Sequence, residues 1–187
     1  LVAGLQALPA PAVAAQAVTT SAVTTPSVTA QAATSAARNW YPAGARNAVS
    51  LSFDDARPSQ ADVGLPLLAR YQVKATFYLL PRHAQERLAK WQQALQAGHE
   101  LGNHSNSHLC TGNFQWLRHY DAGLEQVDLA FMQADLASAQ QFFRQHFQMT
   151  PQHFAYPCGQ TFVGRGEQVQ SYVPLIARQF LTGRTFN

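Results

Sequence analysis

Short strand-like runs that alternate with helical patterns limit what this chain can fold into more than any other feature. The runs cover residues 48–53, 73–80, 99–103 and 153–157. Helical spacing of apolar residues lies between them, at residues 59–71, 84–97 and 121–147. This alternation predicts an α/β fold in which helices cover a sheet of parallel strands. Folds of this kind place their functional groups where the strands end.

Charge divides the chain into two parts. Residues 1–37 carry no charged and no aromatic residue, and 22 of them are Ala, Thr or Ser, whereas all 23 charges follow from Arg38 onward. Too few large apolar side chains are present in 1–37 to offset the entropy of ordering, so we expect disorder there. We interpret 1–37 as a residual signal peptide and linker, with cleavage near Ala15 or Ala17, and 38–187 as the folded domain. An Ala-rich terminal extension is the alternative.

Composition excludes two classes of function. The net charge is +3, but the basic residues form neither a run nor a helical stripe, so we expect no nucleic-acid partner. No apolar stretch reaches the roughly 20 residues of a membrane span, so we expect none. A signal peptide would direct the protein to the periplasm or the extracellular space.

Two adjacent carboxylates, Asp54 and Asp55, follow the first strand-like run directly. A single carboxylate there is often a turn or cap residue. Two carboxylates repel each other unless a cation or a proton separates their roles. The pair therefore indicates a metal ligand beside a general base.

His104 and His108 follow the third run and lie four residues apart. On a helical turn this spacing puts both imidazoles on one face, within reach of a single metal ion. The motif lacks the Glu of the His-Glu-x-x-His metalloproteases, so the base must come from elsewhere. Asp54 or Asp55 could supply it.

The remaining histidines and Lys74 are not assigned to the site. We expect His83, His119 and His146 on solvated helix faces, and His99 and His153 in structural roles at strand starts. The Lys74 ammonium is expected to extend outward from its strand.

Four stretches together resemble the polysaccharide deacetylases of the NodB-homology type, carbohydrate esterase family 4. They are residues 52–55, 74–78, 98–108 and 154–159. They occur in the family's order over about residues 47–160, which is more specific than any one motif. The resemblance implies a distorted, incomplete (β/α) barrel.

The resemblance also implies roles for individual residues. Asp54 corresponds to the general base, and Asp55, His104 and His108 correspond to the ligands of a divalent metal, with zinc expected. The last of the four stretches, residues 154–159, would line the substrate groove through Tyr156 and Pro157, and the backbone amide of Cys158 would stabilise the oxyanion.

The chain departs from the family pattern in two places. Many members carry an Arg that holds the catalytic Asp where this chain has Ala155. Support for Asp54 must then come from another residue or be weaker. The family's last two motifs, a hydrophobic wall and a His acting as general acid, are not found after Gly159, so we expect a barrel truncated at its C terminus.

The function implied is hydrolysis of acetyl groups from an acetylated glycan, whether at the carbon–nitrogen bond of an N-acetyl group or at an ester. A catalytically silent, carbohydrate-binding relative is the alternative, because the general acid and the usual Arg are missing.

Cys110 and Cys158 are the two cysteines of the chain. In an exported protein such a pair favours a disulfide, which would tie the loop after His108 to the groove wall. A free buried pair, or Cys110 as an additional metal ligand, are the alternatives.

Overall fold

The computed structural model describes Ala45 and residues 47–114 and 123–185. The predicted leader and linker, 1–37, and His119 lie outside these residues. Among the described residues, no helix combines the length and the apolar character needed to cross a membrane.

Five parallel strands form the main sheet, as the alternating pattern predicts. They are β1 (Ser52–Asp54), β2 (Thr76–Leu79), β3 (Glu100–Asn103), β4 (His153–Ala155) and β7 (Thr182–Arg184), in the order β1-β2-β3-β4-β7. A two-stranded antiparallel hairpin, β5 (Phe162–Val163) with β6 (Gln170–Ser171), lies outside this sheet.

Helices connect the strands. They are α1 (Leu65–Arg70), α2 (Pro81–Gln85), α3 (Leu88–Gln96), α4 (Leu129–Phe147) and α5 (Val173–Ala177). The pattern at 59–71 begins as the π-helical turn Gln60–Gly64 before α1. The pattern predicted as one helix at 84–97 forms α2 and α3.

The long helix is shorter than its apolar pattern predicts. It begins at Leu129 because the Asp128 side chain caps it, accepting a hydrogen bond from the Phe131 N–H at 2.8 Å. It ends at Phe147, because the next residue, Gln148, has a left-handed backbone (φ 55°).

Residues 172–185 contain elements that the sequence pattern does not predict. Helix α5 leads to β7, whose residues pair in register with β4: His153 with Thr182 and Ala155 with Arg184. The strand Thr-Gly-Arg has no apolar alternation, so its pairing rests on backbone hydrogen bonds to β4, which a sequence pattern does not reveal.

Two apolar clusters pack around the sheet. One joins Phe77 and Leu101 of the sheet to Trp91 of α3 and Phe143 of α4. The other surrounds Phe154 and contains Met132 and Leu136 of α4 and Leu175 and Ile176 of α5. Helix α4 therefore anchors both halves of the molecule.

The main sheet curves into a half-barrel. Neighbouring strands are about 4.8 Å apart, so the two edge strands of a flat five-stranded sheet would be about 19 Å apart. Arg184 on β7 nevertheless forms an ion pair with Asp54 on β1, at the opposite edge. Such a contact requires the strands to bend around a shared interior, as in part of a (β/α) barrel.

Candidate metal centre

Three ligand atoms converge where β1 and β3 end. Asp55 Oδ1 lies 3.4 Å from His104 Nε2 and 3.3 Å from His108 Nε2. Zinc bonds of about 2.0–2.1 Å to nitrogen and oxygen separate the ligands of a tetrahedral site by about 3.3–3.4 Å. The distance from Asp55 to each imidazole therefore fits a shared zinc-sized ion, and all three donor atoms lie within 4.8 Å of one another.

The His104 ring is fixed by a contact on its far side. The side chain is buried, and Nδ1 lies 2.8 Å from the carbonyl oxygen of Ala155. Because a carbonyl only accepts, Nδ1 must carry a proton, which directs Nε2 at Asp55 and leaves Nε2 as the ring atom that can bind a metal when the imidazole is neutral. In metal sites, a hydrogen bond from the ring nitrogen that does not bind the metal fixes the orientation of the histidine in this way.

The histidines lie in a loop and not on a helical turn, which corrects the prediction. Residues 104–108 leave β3 as irregular backbone, with left-handed conformations at Ser105 (φ 63°) and His108 (φ 52°). The His108 N–H donates to Ser105 Oγ at 2.9 Å. Both imidazoles reach one point because the loop folds back on itself, and the four-residue spacing only coincides with a helical one.

Asp135 on α4 holds this loop and was not predicted. Its carboxylate accepts hydrogen bonds from the backbone N–H groups of Asn106 and Ser107, both at 2.9 Å, and from Ser107 Oγ. The carboxylate is buried beside Leu136, on the apolar face of α4. An acidic residue within an apolar helix stripe is the signal that could have identified it.

Asp55 has partners on both oxygens. Its Oδ1 faces the two histidines, and Oδ2 accepts from Arg57 Nε at 3.0 Å. Hydrogen-bonding contact with His104, then with His108, and the Arg57 guanidinium hold the pKa of the Asp55 carboxyl far below its usual range, although burial opposes them. The group is thus kept ionised, as a metal ligand must be.

His83 lies beside the site, which contradicts its assignment to a solvated helix face. Its Nδ1 is 2.9 Å from the backbone carbonyl oxygen of Asp55. The contact helps to hold Asp55 in a left-handed conformation (φ 77°). Position 83 on α2 carried no spacing signal, because its partner is 28 residues away.

Left-handed backbone is concentrated at the site. Among the described residues, seven non-glycine residues have positive φ, and five of them border the site: Asp55, Ala56, Ser105, His108 and Cys158. Such conformations cost about 1–3 kcal/mol each and persist where the surroundings enforce them.

Asp54 points to a different set of partners from Asp55. Its backbone carbonyl accepts from Gln60 Nε2 at 2.6 Å, and its carboxylate accepts from Arg184 Nη2. The side chain is 29% exposed. The two adjacent aspartates therefore have separate environments, one facing imidazoles and the other a guanidinium.

A disulfide bond joins Cys110 to Cys158. The Cys110 sulfur is 3.9 Å from His108 Nδ1, and both sulfurs lie within 4.8 Å of a ring nitrogen of that histidine. Because both sulfurs are bonded to each other, neither is a thiolate that could bind a metal. The bond is the predicted disulfide, in place of a free cysteine pair or of Cys110 as a metal ligand. The bond links the ligand loop to the loop after β4.

Tyr156 and Pro157, the predicted groove residues, are both buried. The Tyr156 ring packs against Phe154 and Tyr172, with ring centroids 5.1 and 5.3 Å apart. The side chains thus belong to the core, and a groove role for these residues remains a prediction.

Three other histidines make structural contacts. His99 Nδ1 accepts from the Ala75 N–H at 3.2 Å, and burial, followed by the charge of Lys74, lowers the pKa of this imidazole. His153 contacts Glu100 and Thr182. His146 packs against Phe142, and Lys74 is exposed.

Comparison with known proteins agrees with the motifs. The family model for polysaccharide deacetylase matches residues 42–171. A peptidoglycan-N-acetylglucosamine deacetylase from Bacillus cereus is 32% identical over 75 residues, which are 40% of this chain and 35% of that protein. The match thus spans about a third of the length of that relative.

Solved structures share the fold. Peptidoglycan deacetylase PdaC from Bacillus subtilis superposes with a TM-score of 0.54 at 21% identity, over 74% of this chain and 57% of that one. The deacetylase PplD of Streptococcus pyogenes gives 0.58 at 20% identity, over 77% and 58%.

A family 4 pseudoenzyme from Bacillus anthracis gives 0.50 at 22% identity, over 72% and 41%. The architecture is thus found in deacetylases and in a pseudoenzyme, so the fold alone does not establish activity. The family itself rests on the sequence, because its model matches more than two thirds of the chain. This chain belongs to the polysaccharide deacetylase family.

Proposed function

We propose that this protein is a metal-dependent hydrolase that removes acetyl groups from an acetylated polysaccharide. The observation that carries the proposal is the convergence of Asp55, His104 and His108 at 3.3–3.4 Å, beside a second carboxylate, Asp54. A site that holds a cation next to an independent base has what hydrolysis of an amide or ester requires.

Asp55, His104 and His108 would hold the divalent metal. Two imidazoles and one carboxylate form a ligand set that zinc uses in catalytic sites, where three protein ligands leave a position open. When bound, the ion supplies Lewis acidity toward a water molecule and the acetyl carbonyl. The contact between His104 Nδ1 and Ala155 supports this role, because it directs Nε2 to the site.

Asp54 would act as general base and accept the proton of the attacking water. Its carboxylate is partly exposed and makes no contact with the histidines among the described residues. It therefore remains free to take a proton while Asp55 serves as a ligand.

Cys158 would contribute its backbone N–H to the oxyanion. Its sulfur lies within 4.8 Å of a ring nitrogen of His108, which supports a position at the site. Removal of one oxyanion donor in other enzymes costs about 3–4 kcal/mol of transition-state stabilisation. Tyr156 and Pro157 would border the substrate groove through the same loop.

The substrate would be an acetylated glycan, with either N-acetyl or O-acetyl groups. The similarity to a peptidoglycan-N-acetylglucosamine deacetylase favours an N-acetylated glycan as the first substrate to test. We also propose that residues 38–187 carry the catalytic domain and that the protein is exported. The bond between Cys110 and Cys158 supports export, because disulfides persist in oxidising compartments.

The test is the substitution Asp54→Ala, assayed with zinc and acetylated chito-oligosaccharide. We expect acetate release to fall to background while zinc affinity changes less than about threefold, because Asp54 is not a ligand. Asp62→Ala is the matched control, since that carboxylate is bound on the surface by Arg87 and Lys90.

Two outcomes would contradict the proposal. Unchanged turnover in Asp54→Ala would remove that residue from the role of base. If the parent protein binds zinc and the oligosaccharide but releases no acetate, it is a catalytically silent, glycan-binding relative.

A further inference from the structure

We propose that Arg184 is the positioning residue of the catalytic base, and that it performs from strand β7 the task that the family resemblance assigns to an Arg at position 155. The inference rests on the proposed function, because it assigns a support to Asp54 as base.

The register of the sheet puts Arg184 next to Ala155, the position where the resemblance leads us to expect an Arg. Ala155 on β4 pairs with Arg184 on β7, and the Tyr156 N–H donates to the Arg184 carbonyl at 2.9 Å. The two residues are thus neighbours at the same level of the half-barrel. A guanidinium that starts one strand away can reach the same carboxylate.

The side chain of Arg184 crosses the interior to the first strand. Its guanidinium carbon lies 4.7 Å from the centre of the Tyr78 ring, and its Nη2 donates to Asp54 Oδ1. Tyr78 pairs in register with Asp54 and with Gly102. The ring has room because residue 102 is a glycine, since a Cβ there would lie 2.5 Å from a ring carbon.

The contact with Arg184 orients the Asp54 carboxylate and leaves one of its two oxygens free. Among the described residues, Arg184 is the side-chain donor to Asp54, and it engages Oδ1, so that Oδ2 remains available to accept a proton. Arg57 serves Asp55 in the same way. Each of the two adjacent carboxylates therefore has its own guanidinium, which keeps the base and the ligand in separate orientations.

The contact is more than a solvated surface pair. The side chains of Arg184 and Asp54 are 30% and 29% exposed, and the guanidinium lies against an aromatic face. The Arg184 Nε is buried and has no hydrogen-bond partner within the described part of the chain. The orientation that brings Nη2 to Asp54 therefore leaves the buried Nε donor unpaired, at a cost in free energy.

The test compares Arg184→Ala, Arg184→Lys and the double variant Ala155→Arg/Arg184→Ala. We expect Arg184→Ala to lower kcat about a hundredfold, the size of effect expected when a catalytic group is displaced by about 1 Å. KM and zinc affinity should change less than threefold. The double variant should recover kcat to within about tenfold of the parent, because the Arg at position 155 supplies a guanidinium to Asp54 from the neighbouring strand. The kcat of Arg184→Lys should lie between that of Arg184→Ala and that of the parent.

Arg178→Ala is the matched control, since this arginine is exposed at the end of α5 and should leave kcat unchanged. A kcat within threefold of the parent in Arg184→Ala would overturn the proposal. So would a double variant that folds and binds zinc but recovers nothing, since the role would then belong to β7 itself.

A second measurement separates this proposal from the proposed function. In the metal-free protein, Asp54→Asn and Arg184→Ala form a double-mutant cycle on the Tm. We expect the double variant to lose less than the sum of the two single losses, because both remove one interaction. Additive losses would overturn the positioning role even if no acetate is ever released. A protein with coupled residues and no turnover would instead refute only the proposed function.

Discussion

Two clusters of carboxylate and histidine lie in the described part of the half-barrel, and they differ in how their polar atoms are used. At the carboxyl ends of the strands, Asp55, His104 and His108 direct one atom each at a common point. Lower in the sheet, Glu100 and His153 form an ion pair at 3.0 Å. We call these the upper cluster and the lower cluster.

In the lower cluster every polar atom has a neighbour. Thr76 Oγ1 donates to Glu100 Oε2 at 2.6 Å, and His153 Nδ1 lies 2.8 Å from Thr182 Oγ1. Both ring nitrogens are thus occupied, and no atom is left for a ligand. The comparison indicates that a carboxylate beside a histidine can hold a metal only where the ring nitrogens are not already occupied and converge on one point, as in the upper cluster.

The largest effect is expected from removing a ligand. His108→Gln in the upper cluster should reduce zinc affinity by more than about a hundredfold, beyond the 10–100-fold typical of losing an outer partner. His153→Gln in the lower cluster should leave zinc affinity unchanged. Isothermal titration of both variants tests the contrast, and equal losses would show that the two clusters are not distinct.

The disulfide next to the upper cluster should contribute the next largest effect. It joins residues 48 positions apart, for which the chain-entropy model gives about 4 kcal/mol of unfolding free energy. We therefore expect the double variant Cys110→Ser/Cys158→Ser to unfold at much lower denaturant concentration. Reduced parent protein should behave like this variant, and an unchanged midpoint in both would contradict a stabilising role.

Asp135 should come third, because it acts on the ligands through the loop. Asp135→Asn replaces one of the two oxygens that accept from the Asn106 and Ser107 N–H groups by an NH2 group, which cannot accept, and zinc affinity should fall about 10–100-fold. Asp128→Asn, at the N-cap of the same helix, is the control and should keep zinc affinity. If the two variants lose affinity equally, the effect comes from the helix and not from the loop.

The smallest effect is expected in the lower cluster. Glu100 is 48% exposed, and exposed ion pairs contribute at most about 1 kcal/mol. Glu100→Gln should therefore shift the unfolding free energy by less than about 1 kcal/mol and leave zinc binding unaltered. Glu86→Gln on the surface is the reference, and a loss of several kcal/mol relative to it would show that the lower cluster is a structural centre.

Much of the fold follows from local sequence. The apolar runs at β1, β2, β3 and β4 and the helical patterns between them predicted a parallel α/β sheet, which is confirmed. Strand β7 and helix α5 were missed, since Thr182–Arg184 has no alternation and pairs through its backbone. The long helix was predicted too early because apolar spacing does not show where a cap such as Asp128 begins it.

The candidate site was only partly visible in the sequence. Asp55, His104 and His108 carry motif signals, and the structure brings them together. Arg184 carries none, because it acts on a residue 130 positions away, and Asp135 is marked only as an acidic residue within an apolar helix stripe. The left-handed loop that joins the two histidines was mistaken for a helical turn, since both conformations fit a spacing of four.

The sequence by itself determined which groups could do chemistry, because a carboxylate or an imidazole has its chemistry wherever it lies. The sequence also determined that these groups lie where the strands end. Only the tertiary structure decided which carboxylate faces the histidines, which guanidinium serves which aspartate, and which histidine is already satisfied. These depend on strand register and on the curvature of the sheet, which bring β1 and β7 together although their residues are 130 positions apart.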